Sequence, residues 1–123
     1  MHIADIREIP DSAGLVTFTG PAGRAWGRWH GDVPPVSSCF VEIDIPDSIT
    51  NWESTQKPDI LAGEPEEELT VCAVIESVDE DGIVALRMNS DIILVEWEAT
   101  QQAAPGDRIR FYTPTVDIFP YTL

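Results

Sequence analysis

His30 stands nine positions before Cys39, and a thiol beside an imidazole is the minimum arrangement for a base-activated nucleophile. Nothing in the flanking residues supports such a pair, and the other histidine, His2, sits at the start of the chain. Ser37-Ser38 lacks the glycine-framed elbow that presents a nucleophilic serine on a strained turn. Gly20-Pro21-Ala22-Gly23-Arg24 lacks the lysine followed by Ser or Thr that a phosphate-cradling loop requires, so it reads as a turn. Glu64, Glu66, Glu67 and Glu68 form the densest acidic run; neighbouring side chains diverge, however, whereas ligands for a hard cation must converge, and the run reads as a solvated loop. Asp79-Glu80-Asp81-Gly82 lacks the twelve-residue alternation and closing glutamate of a calcium loop and reads as hairpin chemistry. Among so many acids nothing selects one carboxylate pair for glycoside hydrolysis. No catalytic, cofactor-binding or metal-binding residue is assigned.

One segment runs against the charge of the chain. Arg24-Ala25-Trp26-Gly27-Arg28-Trp29-His30-Gly31 interleaves cations with aromatic rings, and as a strand it places Arg24, Trp26, Arg28 and His30 on one face. Such a face could stack the bases of a single strand, joined by Arg108 and Arg110 if these converge on it. The opposing consideration is the formal charge of −15, from 22 acidic and 7 basic side chains in 123 residues, which repels phosphates and makes nucleic acid an unfavourable partner. Under that field the tryptophans are expected in packing and the arginines in ion pairs.

The elements that must position these residues are strands. Ten prolines and eight glycines spread along the chain favour short strands over long helices. Leu69–Val78 is apolar on both faces over part of its length; Asp79–Gly82 turns it into Ile83–Met88, and Asn89-Ser90-Asp91 turns that into Ile92–Trp97, a three-strand meander. In the third strand Ile93, Val95 and Trp97 point inward, Leu94 and Glu96 outward. Pro105-Gly106-Asp107 leads into Arg108–Tyr112, with Ile109 and Phe111 inward and both arginines outward. In the first half, Ile3–Ile9, Leu15–Phe18 and Arg24–His30 are weaker strand signals, and Phe40–Ile45 is a stronger one: Phe40, Glu42 and Asp44 share a face opposite Val41, Ile43 and Ile45. Residues 46–68 read as a long acidic loop, with any helix confined to Ser48–Trp52 after Asp47. The expectation is one all-β domain over residues 1–123, a small antiparallel or partly open barrel with a C-terminal meander and at most one short helix. Cys39 and Cys72 belong to no CxxC pair and read as two buried structural thiols. The charged first residues lack the apolar segment of a signal peptide and no apolar run reaches membrane-spanning length, which points to the cytoplasm and to no membrane partner.

Several of these stretches together resemble small bacterial β-barrel proteins of the OB (oligonucleotide/oligosaccharide-binding) type: Trp29–Pro35, the Val74–Trp97 meander, Pro105–Phe111 and the tail Ile118–Tyr121. The resemblance implies ligand binding on a barrel face or between loops and supplies no catalytic residue. An acidic protein of this size without an active-site signature is also similar to immunity proteins that neutralise toxin domains, because an acidic inhibitor fits the cationic groove of a nuclease. That likeness implies a basic protein partner such as a toxin nuclease domain, steered by Glu42, Asp44, Asp79, Glu80, Asp81 and the loop carboxylates, and anchored by Trp52. The alternatives are an OB-type single-strand-binding module using Arg24, Trp26 and Arg28, and a small-molecule binder or enzyme with a cleft around His30. Of the acids, 16 lie in residues 42–98 against two bases, so the middle strands and the long loop are expected to carry the acidic face.

Overall fold

The computed structural model describes residues 1–32 and 37–121. Val33–Pro35, the end of the Trp29–Pro35 stretch, lies outside the described residues. Strands and turns make up the described fold, with no helix among the described residues. Five strands close into a barrel in the order β1 (His2–Glu8), β2 (Leu15–Gly20), β3 (Gly23–Trp29), β11 (Asp117–Pro120) and β4 (Cys39–Asp44), with β4 returning to β1. A second sheet has the order β5 (Glu53–Ser54), β10 (Arg108–Thr113), β7 (Leu69–Val78), β8 (Ile83–Met88) and β9 (Asp91–Glu96), with β6 (Ile60–Ala62) also paired to β7. The fold is thus an all-β small barrel, mixed because β11 runs parallel to β3 and antiparallel to β4.

Alternation places most side chains as expected. Val41, Ile43, Ile45, Ile93, Val95, Ile109 and Phe111 are buried, while Phe40, Glu42, Asp44, Leu94 and Glu96 are exposed. Both sheets contribute to one apolar cluster, so the core lies where their inner faces meet. The three-strand meander turns at the predicted positions. Gly82 has φ +81° and its N–H donates to the Asp79 carbonyl at 3.3 Å, while Asn89-Ser90 links Met88 to Asp91.

Residues 46–68 depart from the long-loop reading. Ile60-Leu61-Ala62, between Pro58 and Gly63, pairs with β7 and buries Leu61. The same strand reaches the barrel, where the N–H of Leu61 donates to the Ala22 carbonyl and that of Gly63 to the Arg24 carbonyl, both at 3.1 Å. β6 therefore bridges the two sheets. Ser48–Trp52 forms no helix: Ile49 is buried and bridges to Trp97, its N–H donating to the Glu96 carbonyl at 2.8 Å and its carbonyl accepting from Glu98 N–H at 2.9 Å. A β-branched residue with a buried side chain and both backbone groups bonded to one extended neighbour has more to gain extended than coiled. Of the two thiols, Cys72 is buried in β7, whereas Cys39 in β4 is only half-buried; both are free.

Seating β11 needs a residue without a side chain on β3. A Cβ on Gly27 would stand 2.7 Å from the Val116 carbonyl oxygen and 2.8 Å from Val116 Cγ2, where the chain enters β11. Backbone cannot retreat as a flexible side chain can, so Gly27→Ala is expected to cost about 1–3 kcal/mol by overpacking. Gly20→Ala, whose Cβ would meet only ordinary contacts of 3.6–3.8 Å, should change stability by less than about 1 kcal/mol. Urea denaturation of the two variants measures the difference, and equal midpoints would show that Gly27 does not hold the closure.

Candidate functional site

Three cross-strand rows cover the outer wall of the barrel where β3, β11 and β4 lie side by side. Residues directly opposite in a sheet share a face, and Val41, Ile43 and Ile118 point into the core, so their neighbours in sequence point out. Asp117 pairs with Asp44 and, on its other side, with Arg28. Phe119 pairs with Glu42, and on its other side the ring of His30 stacks on it with centroids 4.3 Å apart. The Tyr121 N–H donates to the Phe40 carbonyl at 3.1 Å, and Phe40 pairs in turn with His2 of β1, ring centroids 4.9 Å apart and edge-on. One end of this face is aromatic and the other acidic.

The exposure of the aromatic end is unusual. Phe40 is 60 % exposed, Tyr121 58 % and Phe119 39 %, in a chain that buries its other two phenylalanines. Ile92 and Leu94 on the outer face of β9 are also exposed, and Ile92 and Glu42 line the same groove between β4 and β9. Apolar groups clustered in this way at a solvated surface mark an interaction site more often than a stability device.

At the acidic end, the Nε2 of His30 lies 3.0 Å from Asp117 Oδ1. Burial pushes the Asp44 carboxyl above the usual carboxylate range, and the charges of Asp117 and Glu42 push it the same way. The N–H of Ile45 and the imidazole of His30 oppose the shift without cancelling it. Neither Glu42 nor Asp44 has a salt-bridge partner among the described residues. Asp44 faces Asp117, which has His30 and Arg28 on its other side, so among the described residues the carboxylates of this wall left without a salt bridge are Asp44 and Glu42. His30 lines none of the principal surface cavities, and Cys39, the thiol nearest it in sequence, does not bond it. Among the described residues no three His, Cys, Asp or Glu side chains converge as metal ligands, and no helix is long and apolar enough to cross a membrane.

The sequence-derived residues fall into three places. Glu42 and Asp44 are neighbours on the face just described. Asp79, Glu80 and Asp81 occupy the tip of the β7–β8 hairpin, beside Trp97, whose N–H donates to the Gly82 carbonyl at 2.8 Å. Glu42 lies by Asp91, at the other end of β9, so about 20 Å of strand separates the two acidic groups. Trp52 does not stand free: it packs against Trp97 at 5.6 Å and donates from Nε1 to the Gln101 carbonyl at 3.2 Å. The Glu64–Glu68 segment folds over the other side of the barrel, where Glu66 accepts from the Ser12 hydroxyl, the Glu67 carbonyl accepts from Trp26 Nε1, and Glu64 lines a cavity with Arg24. Of the arginines of β3, Arg24 shares that cavity with Glu64, whereas Arg28 lies opposite Asp117 in the β3–β11 pair.

The cation–aromatic face that β3 could have carried does not form, and its tryptophans lie in packing as expected. Trp26 and Trp29 are each 5 % exposed, Trp26 beneath the Glu64–Glu68 segment and Trp29 in the core with its Nε1 donating to the Asp32 carbonyl at 2.7 Å. Arg108 and Arg110 sit in the other sheet, paired with Asp59 at 2.6 Å and with Glu53, whose carboxylate raises the pKa of the Arg110 guanidinium. Missed as site residues in the sequence were Phe119, Tyr121 and Asp117, the pairing partner of His30. Their signal was the alternation Asp117-Ile118-Phe119, which a four-residue strand states only weakly.

Because the Asp44 carboxyl is held above its unfolded value, its contribution to stability is fully present below that unfolded value and is lost as pH rises through the folded one. Asp44→Asn keeps the acceptor for Ile45 and removes the repulsion. It should stabilise the protein at pH 7 by a few tenths of a kcal/mol, about the size of a cross-strand charge effect, with the gain vanishing toward pH 3. Thermal melts of both proteins across that range read the difference, and a gain unchanged at low pH would refute the repulsion. Set against known proteins, the chain matches no family model, no curated protein and no solved structure.

Proposed function

We propose that this protein is a non-enzymatic binding protein that holds a basic protein partner on the outer face of β4 and β11, as an immunity-like inhibitor holds a toxin nuclease domain. The observation that carries the reading is the joining of exposed aromatics (Phe40, Phe119, Tyr121) to carboxylates that lack salt-bridge partners among the described residues (Glu42, Asp44) on one wall. Aromatic side chains that lose water on contact supply most of the affinity of such interfaces, and the charges around them supply steering and selectivity. A charge of −15 speeds encounter with a cationic surface and opposes phosphates. A sheet face marked by open grooves suits a protein surface better than a small substrate, which needs to be largely enclosed.

Capture of proteins from native lysate on the immobilised chain tests the reading, with the product of the neighbouring gene as the first purified candidate. A basic protein should be retained at 50 mM salt and released near 500 mM, because screening at the higher concentration acts within a few ångströms. The double variant Glu42→Lys/Asp44→Lys should weaken retention by at least about tenfold, since like charges across an interface cost several kcal/mol. Asp79→Lys/Asp81→Lys at the hairpin tip should change it by less than about threefold. Capture that is indifferent to both salt and the first pair, or no capture of a basic protein, would count against the proposal.

A further inference from the structure

Two grooves meet at Tyr121. The larger, about 620 Å³, runs between the barrel and the β8–β9 turn, with His2, Phe40 and Tyr121 on one side and Asn89, Ser90 and Asp91 on the other. The smaller, about 250 Å³, shares Tyr121, Ser90 and Asp91 and continues to Glu42 and Ile92. Together they are as large as a site for a side chain with its backbone. Among the described residues no lysine or arginine lines either groove. Asp91 is already paired with the Met1 ammonium at 2.8 Å, whereas Glu42 has no salt-bridge partner among the described residues.

We infer that this groove seats an arginine side chain of a cationic protein segment, its guanidinium stacked on Phe40 and Tyr121 and bonded to Glu42. The inference rests on the partner-binding reading above and names what that face recognises. Aromatic rings attract cations through their faces, and a guanidinium stacks on them as a plane while keeping its N–H groups free in the plane for a carboxylate. An ammonium is a compact, strongly hydrated charge that gains less from such walls. An apolar side chain would fill the aromatic part and leave Glu42 facing it without a partner. The geometry therefore favours arginine over lysine and over an apolar anchor.

Two short amidated peptides of equal charge test this, Gly-Arg-Gly-Arg-Gly and Gly-Lys-Gly-Lys-Gly, titrated into the full chain at 50 mM salt and followed by amide NMR shifts. The arginine peptide should bind about 3- to 10-fold more tightly, the range of a cation–aromatic contact at a partly exposed site. Its shifts should centre on His2, Phe40, Glu42 and Ser90. Phe40→Ala and Tyr121→Ala should each remove the preference, and Glu42→Gln should weaken the arginine peptide. The variants' unperturbed spectra away from the groove report that they remain folded. Equal affinity for the two peptides, or shifts centred on Asp79–Asp81 or Glu64–Glu68, overturns the inference. A partner captured equally by wild type, Phe40→Ala and Tyr121→Ala but lost with Glu42→Lys/Asp44→Lys removes the groove while leaving a basic partner on the face of β4 and β11. Arginine selectivity at the groove with no basic protein captured removes that reading and leaves the groove.

Discussion

Insertion of β11 between β3 and β4 is the constraint on which the rest of the structure depends. Its parallel side is held by the N–H of Arg28 to the Val116 carbonyl and of His30 to the Ile118 carbonyl, both at 2.9 Å; its antiparallel side runs from Asp117 opposite Asp44 to Pro120 opposite Val41. Without it β3 and β4 would be open edges and the barrel an open sheet. The functional face has the same dependence. His30 and Asp117 are 87 residues apart in the chain and 3.0 Å apart in space; two of the three rows of the face contain a residue of β11, and the third contains Tyr121, which directly follows it. Contacts of such long range are formed late and at high entropic cost, so the face exists only in the completed fold.

That face is not arranged for stability. Asp117 opposite Asp44, with Glu42 two residues along the same strand, brings like charges together where a threonine or a lysine would relieve them. Phe40 and Tyr121 leave apolar surface in water. Local choices that oppose folding, without a compensating contact inside the molecule, concentrate where a protein meets something else. His30 is the partial exception. Stacked on Phe119 and in contact with Asp117, it fixes the direction of one carboxylate, while Asp44 keeps its own environment of burial and repulsion.

The fold was legible in the sequence wherever one strand carried its own evidence. Phe40–Ile45 alternates over six residues, and the meander from Leu69 to Trp97 names its turns through Asp81-Gly82 and Asn89-Ser90; both settled as read. Half of the site followed from that alternation, since Glu42 and Asp44 had to share the face of Phe40. The other half did not, because β11 is four residues long and its choice of neighbours on both sides is a property of the closed barrel. Trp26 shows the limit from the opposite side. Alternation placed it correctly beside Arg24 and Arg28, outside the barrel; what covers it is a segment about 40 residues later, donated to through the Glu67 carbonyl. Periodicity tells which face a residue is on, and only tertiary structure tells whether that face is wet.

Net charge behaves in the same way. Nearly all the surplus acid lies between residues 42 and 98, but the fold sets three of its clusters apart: a hairpin tip, a segment laid over Trp26 of β3, and the wall of β4. At a distance the three act as one field, because encounter responds to the summed potential within a Debye length of the surface. At contact they separate, because only the third has the exposed rings of Phe40, Phe119 and Tyr121 beside it and a second carboxylate across from it. A cationic partner would thus be drawn toward much of this molecule and retained at one place, and the discriminating quantity is the change in dissociation rate when Phe40 or Glu42 is altered, with association answering mainly to total charge.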